Sequence, residues 1–343
     1  MARIPEDLIT EIHQRLPVKS VLRFRCLSKS LCSIIDSPKF VNSHLHRSSE
    51  NINRRKVILQ HMSLKNEPRR FHVIDMNNGE EEELALEKPS VDMWTEIYGS
   101  CNGLLLLYGG CSKIALWNPS IREYMNLPDC PLKTPNDYRL IGLGLGYDES
   151  IRDYKVVFML STSNENQVWI LGMQLKICRR IEDCPDSVGL CFGYGYFADG
   201  SLNWLGLCRP DILAFDVTKE KFQVLPQPFS SIKLVLTDLH VLEGRLCISF
   251  SSIFLPRADI YIRKKNDGFD QFTWEQFCSI KEPRIFKILG FLKSRTKILL
   301  SHGRNKLASY DVEEKSFGNI EIDNGCNLSS RFPILCTESL MWV

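Results

Sequence analysis

The chain has 343 residues, 44% of them apolar and 24% charged, with a formal net charge of +2. These proportions are ordinary for a soluble globular protein, allow a sizeable core in one or two domains, and argue against wholesale disorder. Broad basicity is absent, and the longest apolar run, Leu104 to Tyr108, is far short of the roughly 20 residues that span a bilayer, so neither nucleic acid nor membrane is an expected partner.

Thirteen cysteines lie scattered singly, with no Cys-x-x-Cys pair. Zinc ribbons need paired thiolates, so no metal is expected, and a disulfide framework suits small secreted domains. The opening residues carry no apolar leader. A reducing compartment follows as the expectation, cytoplasm or nucleus, with most cysteines serving as small buried hydrophobes.

In chain order, the first 48 residues carry helical periodicity. Pro5, Glu6 and Asp7 suit a first helical turn. Leu8, Ile9, Ile12 and Leu16 fall on one face, and Pro17 stops that helix. A second apolar series runs through Val18, Val21, Leu22, Phe24 and Leu27, and a third through Leu31, Ile34 and Ile35. Ser37-Pro38 predicts a capped helix carrying Phe40, Val41 and Leu45. So few helical residues make a poor independent core, so spare apolar surface is expected to dock on another part of the chain or on another protein.

Residues 49–56 read as a linker, and Arg54-Arg55-Lys56 as solvated surface. From residue 57 the pattern becomes short β-branched and aromatic runs separated by Gly, Asn, Asp and Pro turns. Asp75, Asn118, Asp216 and Asp311 each follow a strand and precede another, at spacings of 43, 98 and 95 residues. The doubled spacings predict weaker copies near 174 and 263. About six units with a mid-forties period give the arithmetic of β-propeller blades over residues 57–343. Ile334-Leu335-Cys336 is a candidate strand to close the ring on the first blade. A two-sheet sandwich with irregular hairpins stays open on the residues alone.

Two regions carry a family likeness. Residues 4–29, with Leu-Pro-Val-Lys-Ser at 16–20 and Arg-Phe-Arg-Cys-Leu-Ser-Lys at 23–29, closely resemble the plant F-box motif, departing from it at Leu31, where many members carry Trp. Gly99–Leu105, Trp117–Pro128, Gly144–Asp148 and Asp153–Val157 resemble the F-box-associated, kelch-like domain of plant F-box proteins, an architecture shared with the S-locus group, and Ser43–Arg47 resembles the immune-regulator group. The likeness implies a non-catalytic substrate receptor of a Skp-cullin-F-box ubiquitin ligase. Residues 1–48 would grip a Skp-type adaptor, and through it a cullin scaffold. The propeller would hold an unknown target protein. By motif match, the adaptor contacts would be Pro5, Leu8, Ile9, Ile12, Leu16, Pro17, Val18 and Leu22, with Leu16-Pro17 the foremost outward pair. Trp94, Tyr138, Arg139, Phe254 and Phe269 are candidate exposed residues near blade turns.

Other signals point to no chemistry. Gly142-x-Gly144-x-Gly146 imitates a nucleotide loop, but a strand follows where a helix would be needed, so no cofactor is expected. His44 and His46 sit two apart on a helix and face different ways. Glu80 to Glu83 reads as a solvated hairpin tip. A scaffold that binds the adaptor without promoting degradation stays open, as does a propeller enzyme, which would need ionisable residues converging at a central channel.

Overall fold

The computed structural model describes residues 5–60, 70–76, 81–85, 96–109, 113–128, 138–163, 165–181, 193–206, 211–228, 235–252, 257–265, 272–281, 286–292, 294–302, 306–320 and 333–342. Four helices come first: α1 (Glu6–Gln14), α2 (Val18–Arg25), α3 (Lys29–Ile35) and α4 (Pro38–Glu50). Pro5 and Pro17 occupy the N-cap positions of α1 and α2 with extended ψ angles of 144° and 151°. Pro17 therefore both ends one helix and launches the next. Ser28 and Ser37 accept the amides of Leu31 and Phe40 through their hydroxyls, capping α3 and α4. Val18, Val21, Ile35 and Phe40 form the buried core of this module.

The rest is a ring of four-stranded units. Blade 1 contributes β1 (Arg55–Gln60), β2 (Arg70–Asp75) and β3 (Glu81–Ala85). Blade 2 holds β4 (Glu96–Cys101), β5 (Leu104–Gly109), β6 (Lys113–Asn118) and β7 (Glu123–Asn126). Blade 3 holds β8 (Arg139–Asp148), β9 (Asp153–Ser161), β10 (Asn166–Gly172) and β11 (Ile177–Ile181). Blade 4 holds β12 (Gly193–Ala198), β13 (Ser201–Leu205), β14 (Ile212–Asp216) and β15 (Lys221–Leu225). Blade 5 holds β16 (Val235–Leu242), β17 (Arg245–Ser252), β18 (Ala258–Lys265) and β19 (Phe272–Ile280). Blade 6 holds β20 (Phe286–Leu292), β21 (Ser294–His302), β22 (Lys306–Asp311) and β23 (Ser316–Ile320). β24 (Ile334–Thr337) then pairs antiparallel with β1, with Ile334 opposite Ile58 and Thr337 opposite Arg55. It becomes the innermost strand of blade 1 and closes the ring, as expected from the sequence.

Five sheets make six blades, because blades 3 and 4 share one eight-stranded sheet. They meet through a short parallel ladder between β8 and β12, with Gly142 opposite Gly193 and Gly144 opposite Gly195. Here the glycine series finds its use. A Cβ on Gly144 would stand 2.9 Å from Leu202 Cδ2, and one on Gly195 would stand 2.8 Å from the Trp204 ring. Bare backbone lets two innermost strands approach over a fully buried indole, which is packing and not phosphate binding.

The core is divided into six clusters, one at each blade-to-blade contact. That arrangement closes the ring and rules out the sandwich. The repeat read from the sequence is a turn device. Asn118, Asp216 and Asp311 end the third strand of their blades, and each accepts a backbone amide two residues on through its side-chain oxygen. Inner hairpins turn at Asn102-Gly103, Asp199-Gly200 and Glu243-Gly244 with φ positive at both positions, the primed turn that matches strand twist. The copy expected near 174 turns at 173–176; near 263 the strand β18 runs on to Lys265, so its turn lies outside the described residues.

Two expectations need correction. Arg54 and Arg55 are buried, not solvated, because α4 runs to Glu50, a single 3-10 turn spans Ile52–Arg54, and β1 starts at Arg55. Residues 49–56 are therefore structured throughout. Arg263, in the run Arg263-Lys264-Lys265 that charge alone would put on the surface, is buried in β18 with its guanidinium 3.6 Å from the centre of the Phe272 ring. Glu82 lies on β3 and pairs with Arg122, so the acidic run extends into a strand.

Candidate functional site

The helical module has two unlike faces. One packs on the ring: Val41 and Leu45 of α4 reach the core between blades 2 and 3, and Ile121 of blade 2 reaches the helical core. The other carries large aliphatic side chains into solvent. Leu8 is 51% exposed, Ile12 53% and Leu27 69%. Pro5 and Pro17 are exposed beside them, and Ile9 is half-buried. Exposed Arg15, Lys19, Arg23 and Lys29 belong to the same helices and their joins. Open aliphatics on helices that also carry exposed cations are the make-up of a protein-binding surface.

The motif-matched residues divide accordingly. Pro5, Leu8, Ile12 and Pro17 stand open, whereas Leu16 and Leu22 are half-buried against the module's own core. Val18 is 1% exposed and belongs to that core, so its side chain is not on the open edge. It starts α2 on the face that turns inward with Val21. The foremost open pair is thus Leu8 and Ile12, one helical turn apart, more than Leu16-Pro17. Leu27 was missed, although its place at the end of the second apolar series, one residue past the α2 cap, is a signal that could have marked it. Leu31 packs half-buried on the helical core.

The junction between module and ring is polar and buried. Glu338 follows β24. Its backbone amide donates to the Arg54 carbonyl at 2.9 Å, and its carboxylate meets Lys56 Nζ at 2.8 Å and accepts the Val18 amide at 3.4 Å. His44 is fully buried with Nε2 2.9 Å from the Leu16 carbonyl, while Arg54 donates to Ser48 Oγ at 2.9 Å. Burial pushes the His44 imidazole below its usual range, and the neighbouring Arg54 charge adds to that. His46, two residues on, is exposed, as the opposite faces required.

The innermost strands of all six blades surround a central cavity of about 740 Å³. Lys287 enters it with Nζ 5.6 Å and 5.4 Å from the Tyr194 and Tyr196 ring centres. Burial lowers the pKa of Lys287, although the charge of Asp238 opposes this. His240 is buried in the same wall, with Nε2 2.8 Å from Ser249 Oγ and Nδ1 accepting the Ile288 amide. Both nitrogens are engaged, Nε2 within blade 5 and Nδ1 across to blade 6, which suits a structural imidazole. Burial holds its pKa down at about 4. Further out, blades 3 and 4 are tied by Lys155, whose ammonium meets Asp148 at 2.7 Å, Glu220 at 2.8 Å and the Val217 carbonyl at 2.8 Å. Burial pushes the Asp148 carboxyl up, but Lys155, Ser150 and Thr218 outweigh it and hold the group at about 2. Among the described residues no group of three or more His, Cys, Asp or Glu is placed to hold a metal.

Of the candidate residues near blade turns, Tyr138 is half-buried and Arg139 exposed, while Trp94, Phe254 and Phe269 lie outside the described residues. None of the seven described cysteines is in a disulfide: Cys101, Cys247 and Cys336 are buried, Cys32, Cys178 and Cys278 half-buried, and Cys26 exposed.

Known proteins give a consistent picture. The F-box domain family matches residues 1–43, and the F-box associated beta propeller domain family matches residues 56–268. The Arabidopsis thaliana F-box protein CPR1 is 28% identical over 94% of this chain and 85% of its own length. The Arabidopsis F-box/kelch-repeat protein At3g23880 is 25% identical over 92% and 89% respectively. In shape, a chain of a nidogen/laminin complex crystal structure aligns at a TM-score of 0.50 and 12% identity, covering 83% of this chain and 99% of that one, a likeness of fold alone. An open helical edge in front of a closed six-bladed ring, matched by both families in order, makes this chain a member of the plant-type F-box proteins with an F-box-associated β-propeller domain.

Proposed function

We propose that the chain is the target-binding subunit of a Skp-cullin-F-box ubiquitin ligase. Its helices dock on a Skp-type adaptor and its ring holds a protein to be ubiquitinated for proteasomal degradation. The observation that carries this reading is the open aliphatic edge of Leu8, Ile12 and Leu27 on a module whose other face is already covered by the ring. Pro5, Ile9 and Pro17 would extend that contact, and Leu16 and Leu22 would support it from behind. The adaptor-contact set is therefore Pro5, Leu8, Ile9, Ile12, Leu16, Pro17 and Leu22 from the motif, with Leu27 added and Val18 kept as core.

No bond-making is assigned to this chain. A receptor of this kind works by tethering, which raises the local concentration of a target lysine near a separate conjugating enzyme. The cytoplasm or nucleus is the proposed compartment, where such a ligase and free thiols coexist.

The test is capture of a purified plant Skp-type adaptor by the full chain. Leu8→Asp with Ile12→Asp is expected to abolish capture while the thermal transition of the ring stays in place. Undiminished capture by that variant would overturn the adaptor reading. Recovery of the adaptor without cullin from cells would instead favour the non-degradative scaffold.

A further inference from the structure

One short stretch of chain belongs to both the ring and the helical module. Ile334, Leu335 and Thr337 of β24 line the central cavity. The next residue, Glu338, is bound to Arg54, Lys56 and the Val18 amide. Leu340, two residues further, is buried in the helical core with Val18, Val21, Ile35 and Phe40. Met341 returns to the core between blades 2 and 3. Blade 2 clamps this stretch from the other side. The buried Asn118 amide donates to the Ser339 and Met341 carbonyls at 3.0 Å and 2.7 Å, and Ser120 Oγ accepts the Ser339 amide. Gly103 leaves room for it, since a Cβ there would lie 2.3 Å from that of Ser339.

The helical core thus takes in Leu340, which stands three residues past the strand that closes the ring. We propose that residues 334–341 are an allosteric coupler: ordering of the helical module favours docking of the closing strand beside the central cavity, and docking of that strand favours the ordered module. Linkage makes such coupling reciprocal. A partner on the helical edge therefore changes the ring's affinity for whatever contacts β24, and the occupant of the ring changes affinity at the helical edge by the same factor. The two states are β24 with its following residues docked, and the same stretch released with blade 1 left at three strands. Packed cores are bistable in this way, because Leu340 either fills its site or vacates it. The inference extends the receptor reading, but its test needs no adaptor or target, so the two can fail separately.

Hydrogen exchange of the full chain tests it. Phe40→Ala loosens the helical core far from β24 in sequence. The expected result is exchange at least about tenfold faster in β24 and β1, with blade 4 unchanged as the internal control. Asn118→Ala releases the stretch from the ring side and leaves the helices' own residues intact; exchange in α2 to α4 should rise. Acceleration confined to the helices in Phe40→Ala would overturn the coupler, and so would a uniform rise through all six blades, which is global destabilisation. The milder Leu340→Ala serves if Phe40→Ala does not fold, with the same two outcomes against the proposal.

Discussion

The ring and the helical module treat apolar surface in opposite ways. Each blade buries its rows against both neighbours, and closure by β24 leaves no blade without a partner. The helical module buries one row, Val18, Val21, Ile35 and Phe40, and leaves another, Leu8, Ile12 and Leu27, open. A closed architecture can be stable by itself and still be inert. The open one leaves apolar surface on which a partner would add stability. Residue type does not separate the two rows. Only position relative to the packed helices and Leu340 does.

The sharpest way to break this contrast is to place a carboxylate on each row in turn. Val21→Asp buries an unpaired charge, and a cost of about 4 kcal/mol or more is expected, read as loss of the helical signal in circular dichroism. Next in size is the effect of acid on the ring. His240 is neutral in the fold, with a pKa lowered to about 4, while an unfolded histidine titrates near 6.5. The unfolded chain then binds more protons between those values, so stability present above pH 6.5 is lost as pH falls towards 4, by about 3 kcal/mol. His240→Gln should flatten that slope in melts across the window.

Gly144→Val is expected to cost about 1–3 kcal/mol, because Leu202 and Trp204 have nowhere to retreat, and a shift in urea midpoint would measure it. Smallest of all, Leu27→Ser should change stability by less than about 0.5 kcal/mol, since its side chain touches little in the isolated chain. A large loss there would show that the open row is not open.

Much of this was legible before any coordinates. Pro17 and Ser37 mark helix boundaries by local chemistry, and Asn118, Asp216 and Asp311 mark blade turns because an Asx side chain must reach an amide two residues on. Ile334–Cys336 announced a closing strand by composition. What stayed hidden depends on contacts far apart in sequence. Val18 and Leu8 look alike in the motif, and only packing on Val21, Ile35, Phe40 and Leu340 makes one core while the other stays surface. Arg54 and Arg55 read as solvated because a run of cations usually is, yet Glu338 and His44, at the other end of the chain and on a helix, turn that run into a buried junction. The glycine series carried a true signal, close approach, and the strand after it spoke against a phosphate, but nothing in it named an indole as the approaching object.

The position of β24 also orders events during synthesis. The helices leave the ribosome first, but the residue that completes their core comes some three hundred positions later. Until then a nascent chain carries greasy helices beside an unfinished ring. A partner that grips those helices early would shield them while the blades assemble, so recruitment into a complex and maturation of the fold need not be separate events.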